Sequence, residues 1–90
     1  AKFTIELGGE AGNFSAICLV EVESRKPTSS VANKIKSLNG VKTLYEITGS
    51  SDFSVILEAE SSDKLNELID KIRNMENIKA TNTNIILKKW

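Results

Sequence analysis

Two short polar segments of this chain hold the residue types that can bind a small zwitterion. Segment 48–52 reads Thr-Gly-Ser-Ser-Asp, and segment 81–84 reads Thr-Asn-Thr-Asn. Backbone N–H groups and threonine hydroxyls can donate to an α-carboxylate, while the carboxylate of Asp52 can hold an α-ammonium. A plainer interpretation stays open, in which the first segment is a hairpin turn and the second an edge strand made polar against aggregation. The candidate ligand-binding residues are Thr48, Gly49, Ser50, Ser51, Asp52, Thr81 and Thr83.

The composition argues against several other kinds of site. The chain has no histidine and one cysteine, which removes an imidazole base, a catalytic triad and the usual zinc or iron–sulfur ligand sets. Its twelve basic and twelve acidic residues cancel, so it lacks the basic stripe that binds nucleic acid. We therefore expect no enzyme, no metal and no cofactor, no direct contact with nucleic acid or membrane, and a soluble cytoplasmic protein.

The sequence contains an internal repeat with an offset of 37 residues. Segment 21–24, Glu-Val-Glu-Ser, returns at 58–61 as Glu-Ala-Glu-Ser, and segment 34–42 returns at 71–79. In each copy the apolar period changes from two to 3.6 and back, which is typical of a strand, a helix and a second strand. In the same alignment Asn77 takes the place of Gly40, and these two residue types best tolerate the left-handed backbone that follows a helix.

The repeat predicts an α+β, ferredoxin-like βαββαβ domain whose antiparallel sheet has the strand order 4-1-3-2. An additional N-terminal strand is expected at residues 3–7. Residues 1–13 are interpreted as a linker-like strand and glycine loop, and residues 14–90 as the binding and oligomerisation domain. The expected helices are 29–39 and 63–76, and the expected strands are 15–23, 41–48, 53–60 and 78–87.

The first strand is apolar on both of its faces. Ile17 and Leu19 point to one side of the sheet, whereas Cys18, Val20 and Val22 point to the other. Both helices must lie on one face, so the helix-free face needs another cover, and the commonest cover is a second copy. We expect a homodimer whose interface contains Cys18, Val20 and Val22.

Segment 41–52 is followed by an apolar strand, an amphipathic helix and a closing Thr81-x-Thr83-x-Ile-Ile-Leu pattern. This series resembles the C-terminal effector (RAM) domain of the Lrp/AsnC feast/famine regulators. The resemblance covers about residues 14–90, without the family's helix-turn-helix domain. It implies a prokaryotic-type transcription regulator that forms dimers and rings, typically an octamer of four dimers, and binds a small amino acid between dimers. By position, Gly49 would offer backbone to the ligand, Asp52 would pair with its ammonium or order the loop, and Thr81 and Thr83 would line the pocket.

Two features keep alternatives open within that resemblance. The family often has an aromatic residue immediately before the aspartate, and Ser51 stands there in this sequence, which removes apolar contact from the expected pocket. The alternative function is a structural assembly adaptor that senses nothing and forms dimers or rings with a partner, which can be a full-length regulator of the family.

Overall fold

The computed structural model describes residues 13–23 and 28–90. The predicted N-terminal strand at residues 3–7 and its glycine loop lie outside these residues. Within them, four strands form one antiparallel sheet in the order β2-β3-β1-β4, which read from the other edge is the predicted 4-1-3-2. The ferredoxin-like prediction is confirmed. The elements are β1 (Phe14–Val22), α1 (Thr28–Lys36), β2 (Val41–Glu46), β3 (Phe53–Ala59), α2 (Ser62–Arg73) and β4 (Ile78–Ile85).

The sequence repeat is also a repeat of backbone geometry. Helix α2 begins one residue before the predicted start, and the Ser61 side chain caps it by accepting a hydrogen bond from the Lys64 backbone N–H at 3.1 Å. Both helices end three residues earlier than predicted, since their last apolar residues, Leu38 and Met75, lie in turns after the helix. Gly40 (φ 107°) and Asn77 (φ 74°) then adopt the expected left-handed backbone.

The hydrophobic core corrects the predicted orientation of β1. Cys18 and Val20 are 0% exposed and Val22 is buried, because they face the two helices rather than a partner subunit. The predicted dimer interface through these three residues is therefore wrong. Strand periodicity shows that alternate residues share a face, but it does not say which face the helices cover. The same core holds Ala16, Phe53, Val55, Leu57, Val31, Ile35, Leu65, Leu68 and Ile72.

The helix-free face carries the other set of side chains. Pairing across β1 and β3 places Leu19 beside Ser54, and Ile17 beside Ile56. Ile17, Leu19 and Ile56 are half-buried and form an apolar centre. Polar residues of the edge strands, such as Asn82 opposite Leu19, border that centre.

Candidate functional site

The connection between β2 and β3, residues 47–52, is held against the end of β1 by backbone hydrogen bonds. The Ile47 N–H donates to the Asp52 carbonyl at 2.9 Å, and the Asp52 N–H donates to the Val20 carbonyl at 2.8 Å. Gly49 has a φ of 112°, in the region that favours glycine, and a β-carbon there would meet no atom within 4 Å. The 47–52 loop is thus fixed at its ends and open at its glycine.

The carboxylate of Asp52 has a structural partner. The Val22 N–H donates to Asp52 Oδ2 at 2.8 Å in a partly buried position. The register between β1 and β4 shifts between Glu21 and Val22, so this carboxylate satisfies a backbone donor at an irregular point of the sheet. Asp52 therefore orders the loop, and its other oxygen, Oδ1, can accept a hydrogen bond from a ligand.

A surface cavity of about 430 Å³ opens beside the loop, and we call it the loop cavity. The 47–52 loop, the end of β1, the start of α1 and the start of β4 meet there. Its volume lies within the range of small-molecule sites. The lining residues are Glu21, Val22, Glu23, Thr28, Gly49, Ser50, Asp52 and Lys79.

The structure brings together some of the predicted ligand-binding residues. Gly49, Ser50 and Asp52 line the loop cavity, whereas Thr48 and Ser51 belong to the loop without lining it.

The two threonines of β4 lie elsewhere within the chain. Thr81 pairs with Val20 and Thr83 with Cys18, so both side chains are on the helix-covered face of an edge strand. The Thr83 hydroxyl donates to Cys18 Sγ at 3.5 Å. Neither threonine lines the loop cavity.

Four lining residues were not predicted as site residues: Glu21, Glu23, Thr28 and Lys79. Glu21 and Glu23 stand out in the sequence only as part of the repeat. Lys79 Nζ lies 3.7 Å from Glu21 Oε2, a pair joined by the pairing of β1 with β4. Sequence gives no signal for Thr28, because its place in the cavity depends on where α1 begins after β1.

The loop cavity offers groups for both ends of a zwitterion. The first turn of α1, which contains Thr28, presents backbone N–H groups and the positive end of the helix dipole, and Lys79 adds an ammonium. Three carboxylates, from Glu21, Glu23 and Asp52, can accept from an ammonium. This set suits reversible binding.

The buried thiol does not add a nucleophile to this site. Burial raises the pKa of the Cys18 thiol above its usual value, and the hydrogen bond from Thr83 opposes that shift only in part. A thiol with a raised pKa holds little thiolate at neutral pH, and Cys18 is closed off from solvent. Cys18 acts as a small apolar residue of the core.

Comparison with known proteins places this geometry in a family. The family model described as the Lrp/AsnC ligand binding domain matches residues 15–90. The HTH-type transcriptional regulator LysM of Saccharolobus solfataricus is 36% identical over 89 residues, which is 99% of this chain and 62% of that protein. The chain thus spans about six-tenths of the length of the regulators it matches. A homocitrate synthase of Sulfolobus acidocaldarius is 39% identical over 77 residues, which is 86% of this chain but 16% of that enzyme.

Solved structures share the fold. Escherichia coli AsnC superposes with a TM-score of 0.76 at 28% identity, covering 84% of this chain and 52% of AsnC. A feast or famine regulatory protein from M. tuberculosis, solved in complex with L-methionine, has a TM-score of 0.73 at 20% identity, covering 86% of this chain and 52% of that one. Among the described residues, no helix is long and apolar enough to cross a membrane.

Proposed function

This chain belongs to the Lrp/AsnC ligand-binding domain family, and from that premise we propose that it is the effector-binding and assembly domain of a transcription regulator. Its effector is a small amino acid bound in the loop cavity. The observation that carries this proposal is the meeting of Gly49, the Asp52 carboxylate and the first turn of α1 around one cavity of suitable size. The L-methionine complex of the M. tuberculosis protein is consistent with an amino-acid ligand on this fold.

The two ends of the amino acid bind to opposite sides of the loop cavity. The α-carboxylate accepts hydrogen bonds from backbone N–H groups near Gly49 and from the first turn of α1, with Lys79 nearby. The α-ammonium donates to Asp52 Oδ1, the oxygen that Val22 does not use. Because Asp52 also orders the loop, ligand binding and loop position are coupled through one side chain.

Assembly uses the helix-free face of the sheet. Ile17, Leu19 and Ile56 form its apolar centre, and a second copy placed face to face covers that centre in a homodimer. Dimers then associate in a ring, an octamer in this proposal, in which a neighbour's Thr81 and Thr83 reach the ligand. The amino acid changes the stability of the ring, and the ring changes transcription.

The role is regulatory rather than enzymatic. The match to homocitrate synthase is confined to 16% of that enzyme and gives this chain no catalytic part. DNA contact belongs to another domain or to a partner regulator in the cytoplasm, since the charges of this chain cancel. The competing role is an assembly adaptor, which forms dimers or rings but binds no amino acid.

A thermal-shift screen of the common L-amino acids at millimolar concentration tests sensing. A ligand at about 100 times its Kd stabilises the native state by about 2.7 kcal/mol. For a domain of this size that raises the midpoint of unfolding by roughly 10–20 °C. We expect a selective rise in the wild-type chain and a smaller rise in Asp52→Asn, which keeps an acceptor for the Val22 N–H but removes the charge.

Asp63→Asn is the matched control, because Asp63 is an exposed aspartate in the first turn of α2, outside the loop cavity. It removes the same charge and should leave the response intact. If no amino acid raises the unfolding midpoint of the wild-type chain, the result would favour the assembly adaptor. An equal response in Asp52→Asn would move the effector to another part of the molecule.

A further inference from the structure

Two lysine–glutamate ion pairs of the sheet are copies of each other. Lys79 Nζ lies 3.7 Å from Glu21 Oε2, and Lys42 Nζ lies 3.4 Å from Glu58 Oε1. Glu58 follows Glu21 by 37 positions, and Lys79 follows Lys42 by 37 positions, which is the offset of the sequence repeat. The Lys79–Glu21 pair borders the loop cavity. The Lys42–Glu58 pair therefore lies at the equivalent position at the other end of the sheet.

The strand geometry at both pairs is also repeated. The register of β2 against β3 skips a residue between Val41 and Thr43, which leaves Lys42 as the extra residue of a bulge. The register of β4 against β1 skips in the same way between Ile78 and Ala80, so Lys79 is the extra residue. A bulge redirects the side chain that it contains. Each bulge thus places its lysine beside the glutamate of the neighbouring strand.

A larger cavity, of about 920 Å³, surrounds the copied pair, and we call it the repeat cavity. Five of its positions lie 37 residues from positions that line the loop cavity, so the two cavities are built by equivalent parts of the fold. The corresponding pairs are Asn13 with Ser50, Glu58 with Glu21, Ala59 with Val22, Glu60 with Glu23, and Lys42 with Lys79.

One side of the repeat cavity is formed by close packing of the turn after α1 against helix α2. A β-carbon at Gly40, whose φ is 107°, would lie 2.6 Å from Leu68 Cδ2 and 3.0 Å from the Glu58 carbonyl oxygen, so the turn after α1 and helix α2 approach each other closely there. Lys64 and Lys71 stand one turn before and one turn after Leu68 on the same side of α2.

The charges of the repeat cavity balance. It is lined by three lysines and three glutamates, which suits a ligand that carries one charge of each sign. The Glu58 side chain is only 7% exposed and is already paired with Lys42. Glu60, Glu67 and Lys71 are exposed at the rim, where they can meet the ammonium and the carboxylate of a ligand. Glu60 Oε2 lies 3.8 Å from Lys64 Nζ in an exposed pair that a ligand's ammonium would have to replace.

The residue that the repeat places in the position of Asp52 does not line the repeat cavity. Ser15, 37 residues before Asp52, is 1% exposed and lies opposite Glu58 in the β1–β3 ladder. Its hydroxyl oxygen is the one buried side-chain polar atom that lacks a hydrogen-bond partner within the described part of the chain. A buried hydroxyl without a partner is costly, so Ser15 differs from Asp52, whose carboxylate accepts from the Val22 N–H.

From these correspondences we propose that the repeat cavity is a second binding site for a small zwitterionic amino acid, with Lys71 at its carboxylate and Glu60 at its ammonium. The chain then takes up two amino acids, one at each end of the β1–β3 ladder. The assignment of ligand class rests on the proposed function of the loop cavity, whereas the location rests on the repeat, the bulges and the cavity.

The test is the amino-acid panel measured by thermal shift and by amide NMR on matched variants. Glu23→Gln and Glu60→Gln are repeat-equivalent changes, one at each cavity, and both residues are exposed. We expect Asp52→Asn and Glu23→Gln to weaken one binding event, and Glu60→Gln and Lys71→Gln to weaken the other by about fivefold or more. Saturating amino acid should shift the amides of Gly40 and Glu60 even in the Asp52→Asn variant.

The outcomes separate this inference from the proposed function. If every response disappears in Asp52→Asn, the loop cavity is the effector site and the second site is refuted. If responses persist in Asp52→Asn but are unchanged by Glu60→Gln combined with Lys71→Gln, the repeat cavity is likewise refuted. A panel with no response in any variant overturns both proposals.

Discussion

Val20 and Leu19 are neighbours whose substitution should give opposite results, because they lie on opposite faces of β1. Val20 is fully buried among the helices, whereas Leu19 is half-buried on the helix-free face. Val20→Ala removes two methyl groups from the core, at about 0.8 kcal/mol each, and leaves a small cavity. We expect a loss of about 2 kcal/mol, which lowers the unfolding midpoint by roughly 10 °C in a domain of this size.

Aspartate at the two positions makes the contrast larger. Val20→Asp buries a carboxylate with no partner, which costs several kcal/mol and approaches the whole stability of a small domain, about 5–15 kcal/mol. We expect that variant to be unfolded by far-UV circular dichroism. Leu19→Asp places the charge on the helix-free face, so the chain should stay folded while light scattering reports a monomer in place of the proposed dimer.

Each half of this prediction can fail separately. A folded Val20→Asp chain with a wild-type melting curve would refute the orientation of β1 in the core. Leu19→Asp that keeps the wild-type oligomer would refute assembly through the helix-free face. Leu19→Asn, which is polar and uncharged, controls for the charge itself and should weaken the dimer less than Leu19→Asp.

Three further tests concern the loop, the turns and the core, and a fourth concerns ligand preference. Asp52→Ala, which leaves the Val22 N–H without its acceptor, should cost about 1.5–3 kcal/mol in urea unfolding, and a cost near zero would contradict its structural role. Gly40→Ala should lower stability more than Gly49→Ala, because alanine is strained at both positive φ values but its β-carbon has a close contact only at position 40. Equal urea-unfolding midpoints for the two variants would contradict this. Because burial raises the folded pKa of Cys18, unfolding releases a proton above about pH 8.5, so stability should fall as pH rises past that value. Cys18→Ala should remove that slope, and an unchanged slope would assign it to another group. With three carboxylates and one ammonium around the loop cavity, L-lysine should bind there more tightly than L-glutamate by calorimetry, with a difference that shrinks at high salt.

Much of the fold was predictable because its signals are local. The left-handed residues Gly40 and Asn77 depend on a few neighbouring residues, and the structure confirms both. The 37-residue repeat indicated a ferredoxin-like domain, and that fold class predicted the strand order. The predicted helices were about one turn too long at their C-terminal ends. The apolar residues that follow each helix continue its hydrophobic pattern, although the backbone there has already left the helix and turned toward the sheet.

The candidate site was predictable only at its loop. Gly49, Ser50 and Asp52 lie close together in one short segment, so the sequence was enough to predict that they meet at one place, and they line the loop cavity. Lys79 and Thr28 join the loop cavity from distant parts of the chain, and two β-bulges decide where Lys79 and Lys42 point. A bulge adds one residue to a strand without a reliable mark in the sequence.

The sequence by itself determined which elements form, how they repeat and in what order the strands pair, because hydrophobic period and turn chemistry act over a few residues. Only the tertiary structure decided which face of β1 the helices cover, and it moved Cys18, Val20 and Val22 from an expected interface into the core. Alternation divides a strand into two faces, but the side on which a helix packs is decided by contacts between residues far apart in the chain.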